Sequence, residues 1–471
     1  TFYISNGVYP GAPSYTIWEE DSNYFAKDAN GELKYSGTNP REIIYYITGW
    51  DGIDSYNNLA ACPAITLYFK KGLYPIDKNI YFNCIASTSD GGNITLLAEE
   101  GTIFQATTSL ETNGKTIFTF YAGENIKIEG FTFDLQNKNV TRVAYFGLFA
   151  ATNNVEISNC RFINGLNPTA SLWYLAYAIQ TIHGNNYDIH HNYFNNYWIG
   201  CDIENTGGYV SQVKIHHNIF ESCGVSVVFE GTAATPQYLT KDHIITDNIF
   251  NGTNPRVNQQ IAAINIQQYY WNNTNFIISR NIVVYPTGQN ASGIRLSSVS
   301  YSIISNNIVN NSDYSAGDFY GGISLRGTQK CKILGNIVDN SYLGIQEINH
   351  TGFNDADYNT ITDNTISDIT TLVLEVVGAH SIAKDNILDT PNWGTATLAN
   401  GQTFVNVTVG YLASTNDLIF LQIIEATSLA TGEYLRVDTI FAADNIFKVE
   451  CGDGGAASTD IVFAYEVTNR G

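Results

Sequence analysis

The chain contains no Met, only seven Cys in 471 residues, and charged side chains at just 14% of positions. No apolar run approaches the ~18 residues that a membrane-spanning helix needs, so helical insertion is excluded. Seven is an odd number, and Cys62, Cys84, Cys160, Cys201, Cys223, Cys331 and Cys451 lack metal-ligand spacing. Most sit inside the apolar pattern and read as small core residues, not as a disulfide framework. Positive charge is scarce: 23 Lys and Arg face 44 Asp and Glu, for a net charge of −21. Such a balance excludes nucleic acid, whose phosphates need a basic surface, and an anionic membrane surface. The absence of Met and the opening at Thr1 read as a processed N-terminus with any signal peptide removed.

Helical periodicity is also missing from the long middle of the chain, and what stands in its place decides the fold. One phrase, Ile-x-x-Asn-x-(Phe/Ile), appears as Ile189-His190-His191-Asn192-Tyr193-Phe194 and again as Ile215-His216-His217-Asn218-Ile219-Phe220. It recurs at Asn248, Asn281, Asn307, Asn336, Asn364 and Asn386, and Phe131 and Cys160 hold the same place in two degenerate copies. The spacings are 29, 32, 26, 30, 33, 26, 29, 28 and 22 residues. A fixed period in this range means a solenoid, because one unit cannot bury its apolar face alone. Each unit alternates Ile, Val and Phe with a period of two, so each turn is built of strands. The expected fold is all-β, a right-handed parallel β-helix with Asn stacked inside one bend.

Three segments follow. Residues 1–88 form an N-terminal cap and entry strands. Within them Asn39-Pro40-Arg41-Glu42 combines an N-cap, a Pro at the first helical position and a Glu three residues after the cap. The helix would continue through Ile43-Ile44-Tyr45-Tyr46-Ile47, and Ile65 to Ile76 would make the first coil strands. Residues 89–393 form the β-helix, with variable insertions at 165–177 and 251–262. Residues 394–471 carry short strands separated by Gly, Asn and Thr turns, which predicts an antiparallel, sandwich-like β-module at the other end.

The Gly-Ile-x-Leu strands, as in Gly293-Ile294-Arg295-Leu296 and Gly322-Ile323-Ser324-Leu325, precede further copies of the Asn phrase. Together they resemble the pectin-lyase-like superfamily of parallel β-helix proteins. Asn23-Tyr24-Phe25-Ala26-Lys27-Asp28 and Lys70-Lys71-Gly72-Leu73-Tyr74 resemble the entry segment of phage tailspikes and of archaeal or viral surface β-helices. This resemblance implies an extracellular, cell-surface or virion protein that engages polysaccharide and assembles as a homotrimer or a filament. It leaves the chemistry open, because the superfamily includes lyases, hydrolases, epimerases and non-catalytic fibres. The Asp-Pro-His signature of alginate epimerases is absent.

Equal intervals place the candidate site. Asn192 to Ile203 and Asn218 to Phe229 both span eleven residues, so these turns share a register. Asp202 and Glu204 then point outward on one rung, and Glu230 stacks on Glu204. Glycosidases need carboxyls about 5 Å apart for retention and ~6.5–9.5 Å for inversion, and these stacked acids offer both. Catalysis is therefore expected at Asp202, Glu204 and Glu230, as endo-acting glycoside hydrolysis with no cofactor. Trp198, Tyr269, Tyr270 and Trp271 are expected to stack on sugars, with Trp173, Tyr174 and Tyr177 nearby, and His183 to contact substrate. Arg295 and Arg326 would orient an acidic sugar. The same acids could instead hold Ca²⁺, an order similar to calcium-dependent pectate lyases. A third reading is a solvated strand face on a non-catalytic fibre, filament or adhesin subunit. The pairs His190/His191 and His216/His217 belong to the repeat phrase and read as a simple ladder, not as a metal site.

Overall fold

The computed structural model describes residues 14–48, 64–82, 93–107, 116–138, 140–147, 151–165, 176–204, 208–231, 240–253, 261–268, 273–284, 291–310, 321–349, 355–367, 369, 372–388, 393–398, 404–408, 418–426, 435–441, 446–451 and 461–468. The chain divides into two compact units. The first comprises 1–257, 263–268 and 272–276, and the second 258–262, 269–271 and 277–471.

The first unit opens with antiparallel strands Tyr15–Glu20, Asn23–Asp28 and Leu33–Gly37. The one helix among the described residues, Pro40–Thr48, follows where the capping sequence put it. Asn39 Oδ1 accepts from the Arg41 amide at 3.0 Å, which satisfies an otherwise orphaned helix N–H. Ile43, Ile44, Tyr45 and Ile47 are buried, and the Tyr45 hydroxyl donates to the Asn79 carbonyl, so the helix lies against the first coil.

Coils of three strands come next, typified by Gly184–His190, Tyr193–Asn195 and Ile199–Glu204, then Val210–His216, Ile219–Cys223 and Val225–Gly231. Each strand pairs in parallel with its counterpart one coil on: Ile189 with Ile215, Phe194 with Phe220, Ile203 with Phe229. The expected parallel β-helix is the observed architecture. In these two coils the alternating apolar residues face inward and are buried.

The Asn of the phrase explains the bend. Asn218 Nδ2 donates to the Ile189 carbonyl at 2.8 Å and to Asn248 Oδ1 at 3.0 Å. Its own Oδ1 accepts from the Asn192 amide at 2.9 Å and from Asn192 Nδ2 at 3.1 Å. One buried amide thus satisfies backbone groups that the turn strips from the ladder. At the degenerate copy Cys160, the chain still receives Asn192 Oδ1 on its amide at 2.9 Å. Cys160, Cys201, Cys223 and Cys331 are free and buried, as expected of core residues, and burial pushes the Cys160, Cys223 and Cys331 thiols up to about 12. Cys62 and Cys84 lie outside the described residues.

The second unit repeats the device with Asn281, Asn307, Asn336 and Asn364, each Nδ2 donating to the next Oδ1 at 2.9 or 3.0 Å, up to Asn386, whose Nδ2 donates to the Ile361 carbonyl at 3.0 Å. Glu347 is a buried acid inside this unit. It accepts from Asn359 Nδ2 and Ser381 Oγ at 2.6 Å and from the Val377 and Gly378 amides at 3.0 Å, which makes it a structural carboxylate. The unit ends in two three-stranded antiparallel sheets. Their orders are Trp393–Leu398, Ile461–Thr468, Leu418–Ala426 and Phe404–Thr408, Ile446–Cys451, Leu435–Phe441. Among the described residues no helix is long and apolar enough to cross a membrane.

Candidate functional site

The third strands of successive coils in the first unit carry the acids. Their register aligns Arg142 with Tyr177 and Ile199, Tyr145 with Gln180 and Asp202, then Asp202 with Val228 and Asn265, and Glu204 with Glu230 and Gln267. The stacking of Glu230 on Glu204 predicted from the eleven-residue interval is therefore present. Adjacent strands bring such paired residues to about 4.8 Å.

Burial divides the trio. Asp202 is only 1% exposed, Glu204 is half-buried, and Glu230 reaches solvent. Gln180, also buried, links the first two: its Nε2 donates to Asp202 Oδ2 at 2.6 Å and to Glu204 Oε1 at 3.0 Å. The Gln180 Oε1 accepts from Arg142 Nε, which fixes the orientation of the amide. Arg142 in turn lies over the rings of Tyr145, 4.5 Å from the centroid, and Tyr177, at 5.7 Å. A guanidinium, an amide and two carboxylates thus form one polar relay across three coils.

The electrostatics follow from that crowding. Burial, then the charges of Glu204 and Glu230, push the Asp202 carboxyl well above the usual carboxylate range, against the opposing pull of the Gln180 hydrogen bond. Asp202 Oδ1 meets no donor, while the Glu204 carboxyl lies within hydrogen-bonding reach of Asp202. Burial and the neighbouring carboxylates thus both favour a protonated Asp202. Glu230 is also raised, first by desolvation and then by Glu204, although its exposed tip limits the effect. Burial chiefly, and these acids secondarily, raise the Tyr177 phenol.

The other expected site residues separate from the acids. Trp198 is 6% exposed and packs with Ile199, Val225, Val228 and Tyr177, so it is a core residue that offers no ring face to a sugar. His183 sits in the turn before Gly184, edge-on to Tyr209 with centroids 5.8 Å apart, and its carbonyl accepts from Tyr187 Oη at 3.1 Å. None of these contacts reaches the acids; desolvation lowers its pKa. Tyr269, Tyr270, Trp271, Trp173 and Tyr174 lie outside the described residues. Arg295 and Arg326 belong to the second unit. There Arg295 pairs with Ser324 and Ser297 with Arg326, so the two share a face, but Arg295 is 4% exposed and withdrawn from solvent.

Gln180 and Arg142 were not expected as site residues. The alternation in Arg142-Val143-Ala144-Tyr145-Phe146 could have exposed Arg142. However, Phe131 and Cys160 blur the count there, and the 165–177 insertion precedes Gln180.

The histidines form a ladder. His190 stacks on His216 and His191 on His217, each with centroids 5.0 Å apart, and His216 Nε2 lies 2.9 Å from Asp188 Oδ1. Among the described residues no group of three or more His, Cys, Asp or Glu is arranged to hold a metal ion. The acid trio therefore does not fit the Ca²⁺ that a lyase would require: Asp202 is sealed, and one of its oxygens is taken by Gln180.

No family model matches the chain, and no curated protein does. Among solved structures it is similar to the Dettilon tailspike protein (14% identity, 85% of this chain and 88% of that one, TM-score 0.36). It is also similar to a tailspike of E. coli bacteriophage HK620 in complex with a pentasaccharide (12%, 88% and 83%, 0.41). A third is the A-module of the Azotobacter vinelandii mannuronan C-5 epimerase AlgE4 (14%, 68% and 90%, 0.36). At such identities and TM-scores these likenesses carry no functional argument.

Proposed function

We propose that this chain is a polysaccharide-binding β-helix protein of a virion or cell surface that cleaves its glycan internally by retaining hydrolysis. The observation that carries the reading is the Glu204–Glu230 pair on adjacent strands, backed by a buried Asp202 of which Oδ1 alone lacks a donor. Carboxyls about 5 Å apart suit a nucleophile and an acid/base on one glycosidic bond. Glu204, held by Gln180, attacks the anomeric carbon. The bond to the leaving oxygen breaks as that oxygen takes the proton of Glu230, whose raised pKa suits an acid. Glu230 then removes a proton from water, which attacks the same carbon and releases Glu204. Asp202 does not touch the sugar in this scheme. It is a positioning residue whose proton holds Glu204 in place.

Incubation with a polysaccharide panel, with and without chelator, tests this by following reducing ends and ultraviolet absorbance together. Reducing ends alone, abolished by Glu204→Gln and by Glu230→Gln, support hydrolysis. Chelator-sensitive absorbance would mean elimination and overturn it. Cleavage by both variants at the wild-type rate would leave a binding or fibre protein.

Association of copies side by side is supported by a ridge on the second strands of the second unit. Ile282, Ile308, Ile337 and Ile387 are exposed along one outer column, interrupted by Thr365. In a chain of net charge −21, an outer face carrying little charge is where two copies meet with least repulsion. Light scattering of wild type against Ile308→Asn/Ile337→Asn reads it: a shared, unchanged mass rejects this face.

A further inference from the structure

One column of turn residues changes character between the units. It lies at the third residue of the first strand of each coil in the first unit and two residues before that strand in the second, where the backbone adopts the left-handed conformation. In the first unit the column is Asn125, Asn154, Asn186, Gln212, Asp242 and Asn275, all with φ between 54° and 64°. Asn and Asp tolerate this region because a short polar side chain bonds locally. Here they also bond one another: Asn154 Nδ2 donates to Asn125 Oδ1 at 3.0 Å, Asn186 Nδ2 to Asn154 Oδ1 at 2.8 Å, and Asn275 Nδ2 to Asp242 Oδ1 at 2.9 Å.

In the second unit the same column is Tyr301, Lys330 and Tyr358, each with φ of 55°. The isolated bridges Ser300–Gln329 and Gln329–Asp357 confirm that the three are in register. A Tyr or Lys in this conformation is uncommon and costs strain, which draws attention to the position. These residues are not hidden. Tyr301 is 55% exposed and Tyr358 52%, and Lys330 and His380 are exposed as well. Lys330 Nζ donates to Tyr301 Oη at 3.0 Å and lies 5.1 Å from its ring centroid. The His380 ring stacks on Tyr358 with centroids 4.5 Å apart and planes 4° apart, steadied by Asp357 at 2.9 Å from Nδ1.

We infer that Tyr301, Lys330, Tyr358 and His380 form a binding strip for an anionic polysaccharide, a chain of uronate-type sugars. The inference rests on the reading that the protein engages glycan, and it names the chemical class. Four side chains in successive coils put a phenol, an ammonium, a phenol and an imidazole in a row with a step of about 4.8 Å. That step is close to one sugar residue of an extended chain. The ammonium answers a carboxylate, the phenols exchange hydrogen bonds with hydroxyls, and the ring edges pack against sugar C–H groups. Asp357, the acid within the row, is already paired with His380. Lys330 thus carries the positive charge of the row.

Calorimetry with hexagalacturonate, and with maltohexaose as the neutral control, tests the strip on the full chain. Wild type should bind the uronate hexamer with an affinity that falls as salt rises, and bind the neutral one at least about tenfold more weakly. Lys330→Gln should weaken uronate binding about tenfold, the loss expected of one charge-assisted contact. Tyr301→Asn/Tyr358→Asn installs the residue type that holds this turn in the first unit. It should abolish binding while the unfolding temperature stays level or rises. A lowered unfolding temperature with unchanged binding would show a purely structural stack and overturn the inference. Equal affinity for the two hexamers, or none for either, would overturn it too. Glu230→Gln separates the two proposals: uronate binding retained without cleavage by wild type would reject the hydrolase reading alone.

Discussion

The two units share a backbone device and differ in what they pack around it. In both, a buried Asn column ties the bend after the first strand. Beside it, the inward column of the second strands is Phe133, Phe162, Phe194, Phe220 and Phe250 in the first unit, with successive ring centroids 5.2, 4.9, 4.5 and 5.0 Å apart. In the second unit the inward residues are Val283, Val309, Val338 and Ile366. The polar ladder sets the path of the chain, whereas the apolar column only has to fill the space enclosed. Filling is therefore free to vary while the amide is not, which is why the phrase could be followed through both units.

That distinction can be broken by mutation. Phe220→Ala should cost roughly 3–5 kcal/mol through lost burial and a cavity between two stacked rings. Val309→Ala removes two carbons and should cost about 2 kcal/mol. Asn218→Ala and Asn307→Ala should instead match each other, at about 3 kcal/mol, since each orphans the same buried backbone groups. Denaturant unfolding checks all four, and unequal Asn costs would show that the ladder is not the common element.

The next effect is confined to the first unit. His243 is fully buried between Phe229 and Phe276, with ring centroids 4.7 and 4.8 Å away, and burial lowers its pKa to about 3. Its Nδ1 accepts from the Val213 amide at 3.3 Å. The folded pKa lies below the unfolded one, so the stabilisation is complete above about pH 6.5 and is lost as pH falls toward 3. By pH 4 the loss should reach ~3 kcal/mol. His243→Phe should flatten that acid limb, and an unchanged limb in thermal melts would remove His243 as its source.

Asp202 has the opposite sign. Its raised pKa means that its contribution is present at low pH and is lost as pH rises through the folded value. Asp202→Asn, which keeps the shape and removes the charge, should stabilise the protein at pH 8 more than at pH 5, while slowing any cleavage that depends on Glu204. A variant equally stabilised at both values would mean that Asp202 does not titrate in this range.

The repeat was legible because each Asn must meet the next, so its spacing is written directly in the chain. The Glu204–Glu230 stacking was legible for the same reason, as both acids sit twelve residues after a ladder Asn. The burial of Asp202 and Trp198 was not, since the alternation gives the face of a strand but not what covers it. Gln180 and Arg142 escaped because they join the acids through partners on neighbouring coils whose register an insertion and degenerate phrases obscure. The Tyr301, Lys330 and Tyr358 column was written in the sequence too, one residue before Ser302, Cys331 and Asn359. It becomes visible only once the backbone is known to be left-handed there.

The smallest effect is expected on the outer ridge, where the argument about filling reverses. Ile308 is exposed and encloses nothing, so Ile308→Thr forfeits little burial and should change stability by less than about 0.5 kcal/mol. Thr is also at home in a strand, so no loss of β-propensity is expected to add to it. Val309, its neighbour, points the other way and is fully buried. Comparing Ile308→Thr with Val309→Ala by urea unfolding in the dilute monomer isolates the face of the strand from its sequence. A cost at Ile308 that approaches the one at Val309 would mean that the ridge is covered within a single chain, and the association face proposed for it would have to be given up.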